Sequence, residues 1–298
     1  MKIVSIILRV IVGLVFVVSA IAKLYPVEPF EVVFVDLGVS NWLFAPFIAR
    51  TVIVFELFIG LALLLNIWAK NVIYYLAQGS LILFTIYLFF LLLTQGNAVD
   101  CGCFGSWFEL SPLLSIIKNV ALFSFLFLIK KERYSNGLKW VVPLLLLIGA
   151  FVTVFSLNKV GFQNSQAKQL NENINLEGLP PLKTSHENVQ FSNGKKVVIF
   201  LSIGCGHCKS LAYKLALLTK NQPSNVYLVV ASLKEENLDP FFEETKLELP
   251  FIWMSDDTFF KYSGGKLPAI IYVDNGSLKK KWTGEFVDLE ELERLFLY

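Results

Sequence analysis

The chain has 298 residues, of which 55% are hydrophobic and only 17% charged; 26 Lys and Arg face 24 Asp and Glu, for a net charge of +2. Ordinary soluble domains are about 45–50% apolar and about 25% charged. One such domain is therefore excluded, as are a disordered chain and a basic nucleic-acid binder, which needs surplus cations. Four cysteines are too few for a secreted disulfide scaffold.

The average hides two unlike halves. Residues 1–157 carry 10 Lys and Arg and 7 Asp and Glu, whereas residues 158–298 carry 16 and 17. The first half reads as a membrane domain and the second as a soluble one. Apolar runs at 3–22, 46–68, 72–94, 112–129 and 140–157 approach the roughly 20 helical residues that cross a bilayer. The first run is expected to be a retained helix rather than a signal peptide, because Arg9 interrupts it and four more spans follow. Residues 158–195, rich in Gln, Asn and Ser and broken at Gly178-Leu179-Pro180-Pro181, read as a linker.

From Lys196 the pattern is α/β. Residues 197–201 are a short, fully apolar run suited to a central strand. A helix is predicted over 206–219, a strand over 225–231 and a helix over 239–245. Strands over 269–273 and 279–282 are joined through Asp274-Asn275-Gly276, a hairpin signal. A helix over 288–297 closes the chain, with Asp288 as its cap.

Lys and Arg placement predicts orientation. Lys2, Lys70, Lys130, Lys131, Arg133 and Lys139 flank one side of the five spans. The opposite loops, 24–45 and 95–111, hold no Lys or Arg but do hold Glu28, Glu31, Asp36, Asp100 and Glu109. The N-terminus is expected in the cytoplasm and the soluble domain outside it, in the inner (cytoplasmic) membrane of a bacterium.

All four cysteines fall in two tight pairs, Cys101-Gly102-Cys103 and Cys205-Gly206-His207-Cys208. This topology puts both on the oxidising side. Cys205 sits where a strand ends and a helix begins, so the helix N-terminus, with His207 beside it, favours its thiolate. Cys205 is then the nucleophile and Cys208 the resolving thiol. A structural disulfide or half a zinc site is the alternative. A disulfide across the single residue Gly102 is strained and therefore labile; a soft-metal site competes with it, although no metal ligand set is assigned.

The stretch 196–298 resembles the thioredoxin superfamily through 197–201, the Cys-Gly-His-Cys motif and Leu267-Pro268 directly before a strand. The resemblance implies that Pro268 is a cis-proline whose loop packs against the motif. That family often buries an acidic residue six positions before the first cysteine. Here that position is Ile199, so proton transfer at Cys208 needs another group or water. Residues 1–130 resemble the DoxX/MauE group of four-helix membrane proteins through the spacing of four spans, Glu56 within the second, and Asp100-Cys101-Gly102-Cys103-Phe104-Gly105 before the fourth. MauE proteins are implied to serve disulfide formation in exported proteins.

The expected architecture is thus a four-helix membrane bundle over 1–130, a fifth helix within 131–157, a linker over 158–195 and an α/β thioredoxin-like domain over 196–298. Lys23, Arg50, Glu56, Lys118 and Asn119 are polar groups within or at the ends of spans, where ions are costly. Two readings stand. Lys23, Arg50 and Lys118 form a cationic collar under the Cys101–Cys103 loop, able to serve a quinone; or Glu56 neutralises Arg50 or Lys118 while Lys23 and Arg9 snorkel. The expected activity is thiol–disulfide exchange. Electrons from thiols of exported proteins would enter at Cys205–Cys208, pass to Cys101–Cys103 and leave to a membrane quinone. A reductase or isomerase fed by a partner membrane protein, and a non-catalytic thiol or metal-binding assembly factor, are the alternatives. Nucleic acid is not an expected partner.

Overall fold

The computed structural model describes residues 2–67, 72–98, 101–106, 110–129, 141–158, 160, 168–173, 176, 178–183, 189–221, 223–255, 258–284 and 287–296. The chain forms two compact units. One is built from Met1–Val39 and Phe44–Val160, the other from Ser40–Leu43 and Gly161–Tyr298.

The helical unit contains α1 (Lys2–Leu24), α2 (Glu28–Asp36), α3 (Ala45–Leu64), α4 (Val72–Gln95), strand β1 (Cys103–Ser106), α5 (Pro112–Leu128) and α6 (Val141–Leu157). The helices α1, α3 and α4 are long and apolar enough to cross a membrane; α5 and α6 are apolar but shorter, at 17 residues each. Trp140 and the basic cluster at 130–139 lie outside the described residues. The chain is therefore a membrane protein by the length and composition of its helices.

Two elements were not expected. Helix α2 lies in what reads as a plain outer loop. Pro29 in its first turn suits a helix start, and Phe30 buries in the bundle core. The strand β1 begins at Cys103 itself. Both are too short to carry a clear periodic signal.

The α1–α3 contact depends on two glycines. A Cβ on Gly60 would stand 2.9 Å from the Gly13 carbonyl oxygen and 2.8 Å from Val17 Cγ2, and one on Gly13 would stand 2.9 Å from Leu64 Cγ. Small residues allow such close backbone approach between membrane helices. Gly60→Val is expected to destabilise the protein by about 1–3 kcal/mol through overpacking. Chemical denaturation in mixed micelles checks this; unchanged stability would mean that the helices slide apart at no cost.

The second unit contains β2 (Lys168–Asn173), β3 (Lys195–Ser202), α7 (Gly206–Leu218), β4 (Val226–Ala231), a 3-10 turn (Glu235–Asn237), α8 (Leu238–Thr245), β5 (Phe251–Met254), α9 (Thr258–Ser263), β6 (Ala269–Asp274), β7 (Ser277–Thr283) and α10 (Leu289–Phe296). The sheet order is β2-β7-β6-β3-β4-β5. Strand β3 is parallel to β4 and antiparallel to β6, which forms a hairpin with β7. Its central residues Val197–Leu201 are wholly buried, as expected of a strand covered on both faces. Asn275 and Gly276 both take positive φ in the β6–β7 turn, the geometry a two-residue hairpin needs. Asp288 caps α10, its Oδ1 accepting from the Glu291 N–H at 3.0 Å. A parallel β-α-β followed by an antiparallel hairpin and a helix, on this strand order, is a thioredoxin-like fold.

The stretch read as a linker is largely part of this unit. Residues 168–173 form an edge strand on β7, and Leu176, Leu179, Leu182 and Phe191 bury in the core beside Val198 and Phe200. The sequence reads as polar there because an edge strand is held by backbone hydrogen bonds and needs few apolar side chains. Only residues 158–167, rather than the expected 158–195, separate α6 from the sheet.

Candidate functional site: two thiol pairs

Cys205 follows the C-terminal end of β3 and is the N-cap of α7, its Sγ accepting from the Cys208 N–H at 3.4 Å. The free N–H groups of a helix start favour negative charge at that sulfur. Cys205 is partly exposed, His207 is exposed on the first turn, and Cys208 is fully buried. Burial, then the hydrogen bond to Cys205, pushes the Cys208 thiol well above its ordinary value. Cys205 is thus the accessible thiol of the pair and Cys208 the sealed one. The pairing of Phe200 with Ala269 sets Pro268 at the same end of the sheet, and the Leu267–Pro268 peptide is cis. Ile199 is fully buried in β3, so no carboxylate stands at that position.

A raised thiol pKa in the folded state makes stability pH-dependent. The protonated form is favoured by folding, so the stabilisation is complete below the unfolded thiol value near 8.5 and is lost as pH rises above it. The reduced protein is expected to lose up to about 1.4 kcal/mol per pH unit above roughly pH 8.5. Cys208→Ala is expected to lower that slope in denaturation series at pH 7.5 and 9.5. An unchanged slope in the variant would assign it to other groups.

The second pair lies in the helical unit. Cys101 and Cys103 are both buried among Leu88, Leu91, Tyr87 and Phe104. Gly102 between them has φ +64, a conformation open to glycine and costly to other residues. The Cys101 sulfur accepts from the Cys103 N–H at 3.3 Å and shares a hydrogen bond with Ser115 Oγ at 3.0 Å. The hydrogen bond with Cys101, then burial, raises the Cys103 thiol above its ordinary range. The hydrogen bonds of the loop pair thus gather on the Cys101 sulfur. None of the four cysteines is in a disulfide in the structure.

The polar residues of the spans resolve differently from either expectation. Lys23 is 2% exposed and does not snorkel. Its Nζ donates to Glu56 Oε1 at 2.7 Å, to Oε2 at 2.9 Å and to Ser19 Oγ at 2.7 Å. Ser19 Oγ in turn donates to the Cys103 carbonyl at 3.0 Å. Glu56 is therefore neutralised by Lys23, not by Arg50 or Lys118. Arg50 pairs with Glu31 at 2.5 Å and donates to the carbonyls of Pro46 and Asn158 at 2.9 Å each, which takes it out of the expected collar. Lys118 Nζ lies 4.4 Å from the centre of the Phe104 ring. Asn119 donates to Thr85 Oγ1 at 3.3 Å. Lys23, Glu56, Lys118, Asn119, Ser19 and Cys103 line one small pocket of about 30 Å³, enough for a water molecule.

Sequence reasoning missed Ser19, Ser115, Glu31 and Tyr87. Two carried a signal. Ser19 stands four residues before Lys23, and Ser115 four before Asn119, so each pair shares a helix face. Polar residues repeated at that spacing in an apolar span mark its inward side. Among the described residues no cluster of three or more His, Cys, Asp or Glu is placed to hold a metal.

A Cys-Gly-His-Cys pair capping a helix beside a cis-proline, on this sheet, defines a class: a thioredoxin-like thiol–disulfide oxidoreductase joined to a bundle of membrane-spanning helices. Residues 1–130 match the family model of the methylamine utilisation protein MauE. Across its length the chain is similar to Protein TlpB of Flavobacterium psychrophilum, with 27% identity covering 93% of this chain and 90% of the relative. Solved structures similar to its C-terminal region include a secreted Mycobacterium tuberculosis disulfide oxidoreductase described as homologous to DsbE of E. coli. That likeness has 14% identity, covers 41% of this chain and 96% of the other, and has a TM-score of 0.35. Another is a Chlorobium tepidum structure described as a putative thiol:disulfide interchange protein DsbE, at 16% identity, 44% and 97% coverage and a TM-score of 0.35.

Proposed function

We propose that the protein promotes disulfide formation in exported proteins by relaying electron pairs through its two thiol pairs to a membrane quinone. In the first step a substrate thiolate attacks the Cys205–Cys208 disulfide. A substrate disulfide forms, and Cys205 and Cys208 become thiols. In the second step the Cys205 thiolate attacks the Cys101–Cys103 disulfide, and Cys208 releases the mixed disulfide, so the domain pair is reoxidised and the loop pair is reduced. In the third step Cys101 and Cys103 re-form their disulfide as two electrons and two protons pass to a quinone, giving the quinol.

The observation that carries this reading is the setting of the loop pair. A Cys-Gly-Cys dithiol is buried among apolar helices with a charged, hydrogen-bonded network at the Cys103 carbonyl. The Lys23–Ser19–Cys103 carbonyl chain and the small pocket beside it suit proton handling during thiol oxidation. Orientation is part of the proposal and rests on the Lys and Arg distribution. The N-terminus is cytoplasmic, and the thioredoxin-like domain faces the extracytoplasmic side of the bacterial inner membrane. Both pairs belong to one chain, so the second step is intramolecular and benefits from a high effective concentration. The lack of a carboxylate at Ile199 weighs against a fast reductase.

The test is the redox state of both pairs in intact bacterial cells, read by alkylation shift with and without respiratory quinone. Both pairs are expected to be oxidised with quinone and reduced without it. A Cys205–Cys208 pair held reduced while quinone is present would reverse the direction and favour a reductive role.

A further inference from the structure

The helical unit holds a second, larger cavity, of about 480 Å³, walled by α2, α3 and α4. Its lining is apolar or aromatic apart from Glu56, Ser80 and the hydroxyl ends of Tyr75 and Tyr87. Phe55, Tyr75 and Leu83 on its wall are exposed on the bundle surface, so the cavity opens to the side, where the hydrocarbon of a bilayer lies. Along α4 it runs from Tyr75 to Tyr87, about 18 Å at 1.5 Å per residue.

Four of its lining residues also touch the thiol loop or its pocket. Glu56 and Phe84 line the small pocket that holds Cys103. Tyr87 donates to the Cys101 carbonyl at 3.4 Å. Val33 Cγ2 lies 3.8 Å from where a Cβ on Gly102 would stand. The cavity is thus a side entrance from lipid that ends against Cys101-Gly102-Cys103.

We propose that this cleft is a quinone-binding site, with the head group at the Glu56 and Phe84 end and the isoprenoid tail toward the lipid opening. The inference rests on the reading of Cys101–Cys103 as an electron donor and names where its acceptor binds. A site for an amphiphile of this kind is mostly apolar with a few placed polar groups, which is the composition found. A phospholipid tail fits the apolar length but has no use for a buried Lys23–Glu56 pair and two thiols at its end. Electron balance is that of the third step above: two thiols become one disulfide, and the quinone becomes the quinol.

Gly79 offers a direct test. It lines the cleft, and a Cβ added there meets no atom within 4 Å. Gly79→Phe therefore starts its side chain in open space and is expected to plug the cleft, and Leu76→Trp, from the same wall, is a second plug should the first fail to fold. The full-length protein in phosphatidylcholine nanodiscs is titrated with decylubiquinone, and binding is read by quenching of intrinsic fluorescence. Both plugs are expected to weaken decylubiquinone binding at least tenfold, and decanol, which has a tail and no quinone head, is expected not to displace decylubiquinone from the native protein at tenfold excess. Unchanged decylubiquinone affinity in both plugged variants overturns the site. Displacement of decylubiquinone by decanol at equal concentration overturns the quinone assignment in favour of a lipid tail. Oxidation of Cys101 and Cys103 by decylubiquinone is followed separately by thiol alkylation in a Cys205→Ser/Cys208→Ser background. Quinone that binds the cleft yet leaves these thiols reduced supports the site and overturns the electron route.

Discussion

Cys205→Ser is expected to bring thiol–disulfide exchange down to the uncatalysed background, while Cys208→Ser stalls the protein as a trapped adduct. Serine has no thiolate to offer, and the helix N-terminus that favours charge at position 205 serves only a group able to ionise there. Cys208 is buried and its thiol is held protonated, so it acts after the first attack, in releasing the mixed disulfide. The measurement is oxidation of a dithiol peptide by the full-length oxidised protein, with adducts resolved on non-reducing gels. Residual exchange by Cys205→Ser at a tenth of the native rate would place the nucleophile elsewhere. The same experiment distinguishes the loop sulfurs. The Cys103 N–H donates to Cys101 Sγ, which also shares a hydrogen bond with Ser115 Oγ, and the better-stabilised thiolate is the better leaving group. Attack by Cys205 should therefore fall on Cys103. In Cys208→Ser the Cys205 thiolate attacks the intact Cys101–Cys103 disulfide, and peptide mapping of the adduct is expected to find Cys205 joined to Cys103, with Cys101 released as the thiolate, several-fold more often than to Cys101. The reverse ratio would show that access outweighs leaving-group stability.

The largest loss of stability is expected from splitting the Lys23–Glu56 pair. Both side chains are at most 5% exposed, and they make two short hydrogen bonds. Removing one partner leaves a buried charge without its compensation, which typically costs about 3–5 kcal/mol. Glu56→Ala and Lys23→Met are each expected to lose that much in mixed-micelle denaturation. The double variant Lys23→Met/Glu56→Leu has no orphaned charge and should recover most of the loss, because an apolar pair of similar volume is often neutral or better. If the double variant is as unstable as either single one, the pair is not what holds α1 against α3 at this level. The double variant also separates structure from chemistry. A stable protein that reoxidises its loop thiols slowly assigns the network to proton handling, whereas full-speed reoxidation makes it a structural pair.

How far the sequence was legible depended on the length scale of each signal. Long apolar runs and a β-branched core strand announce themselves, because burial on all sides removes every charged residue from them. The thioredoxin-like elements from β3 onward fell close to their expected bounds for that reason. The exceptions were β5, at four residues, and α9, at six. The edge strand β2 was hidden by its polar composition and read as linker. Helix α2 was hidden by its length. At the site, the four cysteines were legible by spacing alone, and Pro268 by its place before a strand.

The charge network shows where sequence reading stops. Lys23, Arg50, Glu56 and Lys118 were identifiable as costly groups in or beside apolar spans, since any such residue must find a partner. Which cation meets which anion depends on helix rotation and on separations of a few ångströms. Gly13 and Gly60 bring α1 and α3 close enough for Lys23 to reach Glu56. Arg50 pairs with Glu31 of α2, a helix that the sequence did not reveal.

By itself, then, the sequence determined that this is a membrane protein with two thiol pairs and that one pair caps a helix after a buried strand. These follow from composition, periodicity and spacing, which are properties of the chain read locally. Only the tertiary structure decided the ion-pair partners, the burial of both loop thiols, the hydrogen bonds at the Cys101 sulfur and the cleft walled by α2, α3 and α4. Those depend on which faces of distant segments meet, and packing, not local pattern, selects the faces.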